Sequence, residues 1–221
     1  MPSLRYTDTE MKVVIKLGGS LLSKGRELVQ LLREYADHTA RQLVIVPGGG
    51  PFADRIMTIA SQLGVSDDTA HWMAVLAMHQ YGLFLADGDP VVPTIENLEE
   101  VPAAGPLCIL LPFKILKADD TLPHTWDVTA DTIAAFIAAK LGERSFIKGT
   151  DVDGMLDENG VVIERIQPQE LIARGYRGCI DTALPRFLLQ HNMSCVIVNG
   201  TMPERIIDVI EGRATISTRI E

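Results

Sequence analysis

Two short apolar runs that each stop at a glycine cluster do most to limit what this chain can fold into. Residues 12–17 (KVVIKL) end at Gly18, Gly19 and Ser20, and residues 43–47 (LVIVP) end at Gly48, Gly49 and Gly50. Each run is followed by apolar residues at helical spacing: Leu28, Leu31, Leu32 and Tyr35 within 25–40, then Phe52, Ile56, Ile59 and Leu63 within 51–63. Continuous apolar runs read as strands buried on both faces, and their alternation with helices gives βαβ units and a parallel sheet. Further strands are expected at 108–111, 145–148, 194–198 and 215–220. Ser66 with Asp67 and Asp68 opens a helix reaching about Ala86, and Thr129 is expected to cap a helix over 130–141. Pro168 and Pro203 suit first helical turns, Asp157 to Gly160 reads as a hairpin turn, and 96–105 as a loop or small peripheral element. The expected class is α/β, a three-layer αβα sandwich around a mainly parallel open sheet.

At 221 residues the chain can bury the core of one compact domain or of two tightly joined lobes. No apolar run is long enough to span a bilayer, and the opening MPSLRYTDTE lacks a signal-peptide pattern, so a cytoplasmic protein without a membrane partner is expected. The net charge of −9 disfavours nucleic acid as a partner. An acidic protein can still hold a small anion by focusing a few cations and backbone N–H groups on one place. Cys108, Cys179 and Cys195 each lie in an apolar stretch without metal-ligand spacing, which points to packing.

That focusing has a candidate centre. Lys16 sits two positions before the first glycine pair in an otherwise apolar strand, where burial is costly unless an anion meets it. The bland alternative is a lysine snorkelling from a strand end. Gly18, Gly19 and Ser20 would let backbone approach a phosphate, and Gly48, Gly49 and Gly50 repeat the design on the next strand. Either cluster alone could be a plain tight turn; two on successive strands suggest two anionic groups held face to face. Asp131, in the first turn of its helix, either stabilises the dipole or orients Lys16 or a second lysine. Lys148, Thr150, Asp151 and Asp153, around Gly149 and Gly154, could serve a ribose, a phosphate or a metal-bound water, or form an ordinary turn. His124 lies in a loop just before the helix that carries Asp131. Trp72, Met73 and Met78, on a helix with few charges, read as core or subunit interface. Walker, nucleophile-elbow, HExxH and CxxC patterns are absent from the sequence.

In order and spacing, Lys16-Leu-Gly-Gly-Ser20, Gly48-Gly-Gly50, Thr129-Ala-Asp131-Thr-Ile-Ala and Thr150-Asp-Val-Asp-Gly154 resemble the amino acid kinase family over essentially the whole chain. Residues 122–135 and 198–206 are most similar to the branch of methanofuran biosynthesis that phosphorylates an aminomethylfuran-methyl phosphate to its diphosphate. The resemblance implies one kinase domain, with an acceptor lobe over about 11–141 and a nucleotide lobe over about 142–221. It implies ATP with Mg²⁺, a small anionic acceptor, and a homodimer or larger assembly. Lys16, Asp131 and Lys148 would be catalytic. Gly18, Gly19, Ser20, Lys148, Thr150, Asp151 and Asp153 would hold the nucleotide; Gly48, Gly49, Gly50, Asp54, Arg55, Trp126 and Asp127 would face the acceptor. An Asp127 carboxylate could meet an acceptor ammonium. The resemblance leaves the metal ligands unassigned.

One departure stands out. Many relatives carry a second lysine in a Gly-Gly-Met-x-x-Lys stretch, and residues 176–181 (YRGCID) have none there. Either Lys148 supplies that charge or the scheme is altered. The alternatives are a uridylate or isopentenyl phosphate kinase-like enzyme, the latter disfavoured by the lack of a histidine just after Gly50, and a protein of this fold that binds nucleotide without turnover. A dinucleotide-dependent oxidoreductase rests only on the G-x-G-x-x-A match from Gly48 to Ala53.

Overall fold

The computed structural model describes residues 11–88, 90–176 and 178–221; the leader reading on 1–10, and Arg177 in the segment without a lysine, lie outside them. Along the chain come β1 (Met11–Leu17), α1 (Gly25–Asp37), β2 (Arg41–Pro47), α2 (Gly50–Leu63), α3 (Asp67–Ala86), β3 (Thr94–Ile95) and β4 (Leu107–Leu110). Then follow α4 (Phe113–Ala118), α5 (Ala130–Lys140), β5 (Ser145–Thr150), β6 (Arg165–Ile166), α6 (Pro168–Arg174), α7 (Leu184–His191), β7 (Ser194–Asn199), α8 (Pro203–Ile210) and β8 (Ser217–Ile220). One sheet joins the strands in the order β3-β4-β2-β1-β5-β7-β8-β6, with every pairing parallel except β7 with β8. β1 is therefore central, between β2 and β5, and its carboxyl end opens where ligands of open α/β sheets bind.

The period of two along the strands sorts their side chains onto two cores. Ile15, Leu17, Leu43 and Ile45 face Leu28, Leu32, Tyr81 and Ile206 on one side. Val14, Val44, Val46, Phe146 and Cys195 face the nearly all-apolar α5, with Ile133 and Ile137, and α7 on the other. Lys16 and Lys148 occupy positions in register with this second face, so each lysine stands where an aliphatic core residue would otherwise be. The expected three-layer sandwich with a mainly parallel sheet is the fold observed.

The long elements follow the expected plan, with α1 ending at Asp37 and β4 and β8 beginning at Leu107 and Ser217. The elements with no sequence expectation are the short ones, β3, β6, α4, α7 and a 3-10 turn at Gly19–Leu21, while a 3-10 helix at Leu98–Ala103 is a small element within the 96–105 stretch. Two to eight residues give too little periodicity to read. The turn at 157–160 forms, with the Asp157 carboxylate accepting from the N–H groups of Asn159 and Val161 and Gly160 at φ +79°, but its flanks pair only through a single Leu156–Val162 bridge. Cys108 and Cys195 are buried, and Cys179 is half-buried beside the Tyr176 hydroxyl. Among the described residues no helix is long and apolar enough to cross a membrane.

Candidate functional site

Register builds the centre of the site. Lys16 of β1 and Lys148 of β5 are directly paired on adjacent parallel strands, so their side chains leave the sheet side by side toward the first turn of α5. Asp131, at the second position of α5, lies between them. Its Oδ1 is 2.8 Å from Lys16 Nζ, and its Oδ2 accepts a hydrogen bond from Lys148 Nζ and another, at 3.1 Å, from the Asp181 backbone N–H. All three charged residues are buried, at 7%, 4% and 3% exposure for Lys16, Lys148 and Asp131. The Lys16 contact is a charge contact whose alignment falls short of a hydrogen bond, and Oδ1 has no hydrogen-bond donor among the described residues.

Two ammoniums sharing one carboxylate are not equivalent. Burial alone would raise the Asp131 carboxyl, but Lys16 and Lys148 outweigh it and hold the group well below the usual range, hence ionised. For Lys148, burial is overcome by Asp131 and the ammonium titrates above its ordinary value. For Lys16, burial wins with the help of the Lys148 charge, and the ammonium is lowered. The geometry agrees: Lys148 is hydrogen-bonded to Asp131, whereas Lys16 makes only the charge contact.

A second carboxylate braces this arrangement, and the sequence reading did not place it in the site. Asp181 Oδ2 accepts from the Thr129 N–H (2.9 Å), the Thr129 hydroxyl (3.0 Å) and the Thr132 N–H (2.9 Å), while Oδ1 accepts from the Thr132 hydroxyl (2.6 Å) and the Leu184 N–H (2.9 Å). Thr129 was expected to cap α5 itself. Its hydroxyl donates to Asp181 instead, because a full carboxylate satisfies the orphan N–H groups of α5 and α7 together. Burial and the neighbouring Asp131 raise the Asp181 carboxyl, and the hydrogen bonds from Thr132 and Thr129 oppose that shift. The available signal was an aspartate three residues before Leu184-Pro185, an N-terminal capping pattern.

The glycine loops meet over Lys16. A Cβ on Gly19 would lie 2.0 Å from Gly50 Cα, so the two bends are in backbone contact and neither position admits a side chain. Gly18 donates to the Gly149 carbonyl (2.8 Å) and accepts from the Tyr81 hydroxyl (3.1 Å), and Gly48 donates to the Leu17 carbonyl (2.8 Å), fixing both bends to the sheet and to α3. The N–H groups of Gly19, Ser20, Gly49 and Gly50 have no acceptor among the described residues. Free backbone donors beside an ammonium are the kind of groups that bind anions.

On one side of this junction opens a cavity of about 530 Å³, reached by Lys16, Gly19, Gly49 and Gly50 and walled by α2, α3 and the segment before α5. Asp54 and Trp126 line it; Arg55 is exposed and does not. Asp127 is turned away: it accepts from the Thr182 hydroxyl (2.6 Å) and lines a shallower neighbouring groove with Asp131 and Asp181. On the other side, toward β5 and β7, Thr150 is buried with its hydroxyl 3.4 Å from that of Ser20 and 3.3 Å from Asp151. Asp153 is held by Asn199 (2.9 Å) and Arg205 (2.6 Å), whose hydrogen bonds lower its carboxyl. His124 does not line the cavity; it stacks on His71, which does. Among the described residues, no three His, Cys, Asp or Glu side chains gather as a metal site.

The family model described as the amino acid kinase family matches residues 11–199, a span that holds every one of these groups except Arg205. The chain belongs to the amino acid kinase family. Within this kinase family it is 33% identical over 211 residues to the [5-(aminomethyl)furan-3-yl]methyl phosphate kinase of Methanocaldococcus jannaschii, covering 94% of this chain and 96% of that one. It is 28% identical to the uridylate kinase of Archaeoglobus fulgidus over 92% of this chain and 97% of that one. The crystal structure of the Archaeoglobus enzyme superposes with a TM-score of 0.72 at 23% identity, over 96% of this chain and all of the other, and shows the same fold. Kinase activity and the amino acid kinase fold, both implied by the sequence resemblance, hold for this chain.

Proposed function

We propose that this amino acid kinase transfers the γ-phosphoryl group of ATP to a phosphomonoester, making a diphosphate, with [5-(aminomethyl)furan-3-yl]methyl phosphate as the acceptor. The observation that carries the reading is the in-register pair Lys16 and Lys148 astride Asp131, directly beneath two touching glycine bends. The choice of acceptor is supported by the Methanocaldococcus relative, similar over nearly its whole length.

Phosphoryl transfer requires alignment and charge neutralisation more than covalent chemistry. The acceptor phosphate sits in the cavity against Gly49 and Gly50, and ATP enters over Ser20, Thr150, Asp151 and Asp153, with Mg²⁺ carried on its phosphates. The lobes then divide near residue 141, acceptor side first. Lys16, the weakly compensated ammonium, meets the oxygens of the transferred group, and Lys148 supplies the second charge that relatives draw from elsewhere in the chain. Asp131 keeps both ammoniums in place without touching the reacting atoms. An acceptor that is already a phosphate needs no strong base. Leu76 and Leu83, at 44% and 57% exposure on the outward side of α3, are the apolar surface for a homodimer.

An ADP-release screen tests the reading with the furan phosphate, UMP, isopentenyl phosphate and amino-acid carboxylates as acceptors. The furan phosphate should give the highest kcat/KM. A tenfold or greater preference for UMP would transfer the assignment to the uridylate kinases, and ATP binding without ADP from any acceptor would contradict catalysis altogether.

A further inference from the structure

One wall of the acceptor cavity is irregular chain. Residues 119–129 join α4 to α5, and Thr125, Trp126 and Val128 among them line the cavity. Without a ladder of backbone hydrogen bonds, the position of such a segment depends on the side chains that tie it down. At its start Asp119 pairs with Lys140 at the end of α5. At its end the Asp127 carboxylate accepts from the Thr182 hydroxyl and the Asp127 carbonyl from the Ala183 N–H (3.0 Å). Between these anchors the tie to α3 is His124.

His124 is engaged at both ring nitrogens. Nδ1 lies 2.8 Å from Asp68 Oδ1 in the first turn of α3, and Nε2 lies 2.7 Å from Asp120 Oδ1 in the segment itself. A neutral imidazole has a single N–H, so it would donate to one carboxylate and turn a lone pair toward the other. The imidazolium donates to both, and the two distances are those of charge-assisted hydrogen bonds. The ring is also packed, stacked on His71 at 4.2 Å and meeting Trp72 edge-on at 5.1 Å.

The surrounding charges favour that protonation. Asp68 and His71 face the ring from α3 and Asp120 from the segment; from α4, the Lys117 ammonium lies 3.5 Å over the Trp72 ring. Burial opposes the imidazolium, but the hydrogen bonds to Asp68 and Asp120 outweigh it and raise His124 above its ordinary value of 6.5. Burial, followed by the His124 charge, brings His71 down to about 4, so the stacked pair carries one positive charge and not two. Loss of the His124 proton leaves one of the two carboxylates without its donor, which releases the segment from α3 or opens the turn between Asp120 and His124.

We propose that His124, as an imidazolium shared by Asp68 and Asp120, is a positioning residue that straps the Trp126 wall of the acceptor cavity to α3, so that acceptor binding weakens when the ring loses its proton. The identity of the bound acceptor rests on the kinase reading above; the strap is a property of the chain alone. Because the folded value is raised, the strap is fully formed below the ordinary histidine value and is lost as pH rises through the folded one. His124 lies outside the cavity lining, so the effect falls on acceptor affinity and leaves kcat at saturation within about twofold.

NMR titration of the full chain without ligand tests the strap first. The His124 ring should titrate above its ordinary value, and the Trp126 indole N–H signal should move with the same midpoint. Calorimetry then compares the parent with His124→Gln, using [5-(aminomethyl)furan-3-yl]methyl phosphate and, in parallel, UMP. The variant should bind the furan phosphate about threefold to fivefold more weakly near pH 6, and the two proteins should converge near pH 9. Ionisation of the ligand is common to both proteins and cancels in the ratio. Asp68→Asn, which keeps the histidine, should give a loss in the same direction. A ratio that does not change with pH, or a Trp126 signal indifferent to the His124 titration, overturns the proposal. The pH-dependent ratio seen with UMP and not with the furan phosphate would sustain the strap and remove the acceptor assignment. If neither ligand binds, the kinase reading fails and the NMR midpoints alone decide the strap.

Discussion

The two ends of the acceptor cavity solve opposite problems. At the glycine end, charges are buried in the sheet: Lys16, Lys148 and Asp131 come from two strands and a helix, and Asp181 ties that helix to α7 through five hydrogen bonds. Toward the start of α3, Asp67 borders the same cavity exposed and without a side-chain partner among the described residues. The buried end has its geometry fixed before any substrate arrives, as electrostatic preorganisation requires, while the open end does not. Stability and catalysis should therefore be sensitive to one end and almost indifferent to the other.

The sharpest way to break that contrast is at Asp131. Asp131→Asn leaves two buried ammoniums without a counter-charge and should cost about 3 to 5 kcal/mol of unfolding free energy by urea titration. The pH dependence follows from its lowered carboxyl. The stabilisation is fully present above the ordinary carboxyl value near 3.8 and is lost as pH falls through the lower folded value, so the variant should lose part of the acid limb of the stability profile. Next, Lys16→Met should lower kcat by roughly 10² to 10³, with a smaller change in melting temperature because Lys148 still neutralises Asp131. Gly19→Ala places a methyl 2.0 Å from Gly50 Cα and should separate the bends, costing about 1 to 3 kcal/mol of stability and raising KM for the acceptor. Smallest is Asp127→Asn, which removes a charge paired with a hydroxyl outside the cavity; its stability change should stay within about 0.5 kcal/mol and its acceptor KM within about threefold.

The same contrast explains what could be read from the chain alone. Strands with a lysine among aliphatics, glycine pairs at their ends, and an aspartate in a helical first turn are local signals, and they singled out Lys16 and Asp131, whereas Lys148 read equally well as part of an ordinary turn and was assigned a catalytic role only through the family resemblance. Register is not local: only the pairing of β1 with β5 brings Lys148 level with Lys16. Asp181 was hidden because its five donors come from 49 to 52 residues earlier in the chain and from the start of a helix too short to show a period. His71 and Asp67 look like helix interior and helix start, and only the packing of α2 beside α3 turns them toward a cavity.

The most direct test of the paired-ammonium account is the kcat of Lys148→Met at saturating ATP and acceptor, in protein shown to be folded. A fall of about a hundredfold or more, with both KM values little changed, is the predicted result. A variant turning over within a few fold of the parent would show that Lys16 acts alone and that the register of β1 with β5 is incidental to the chemistry.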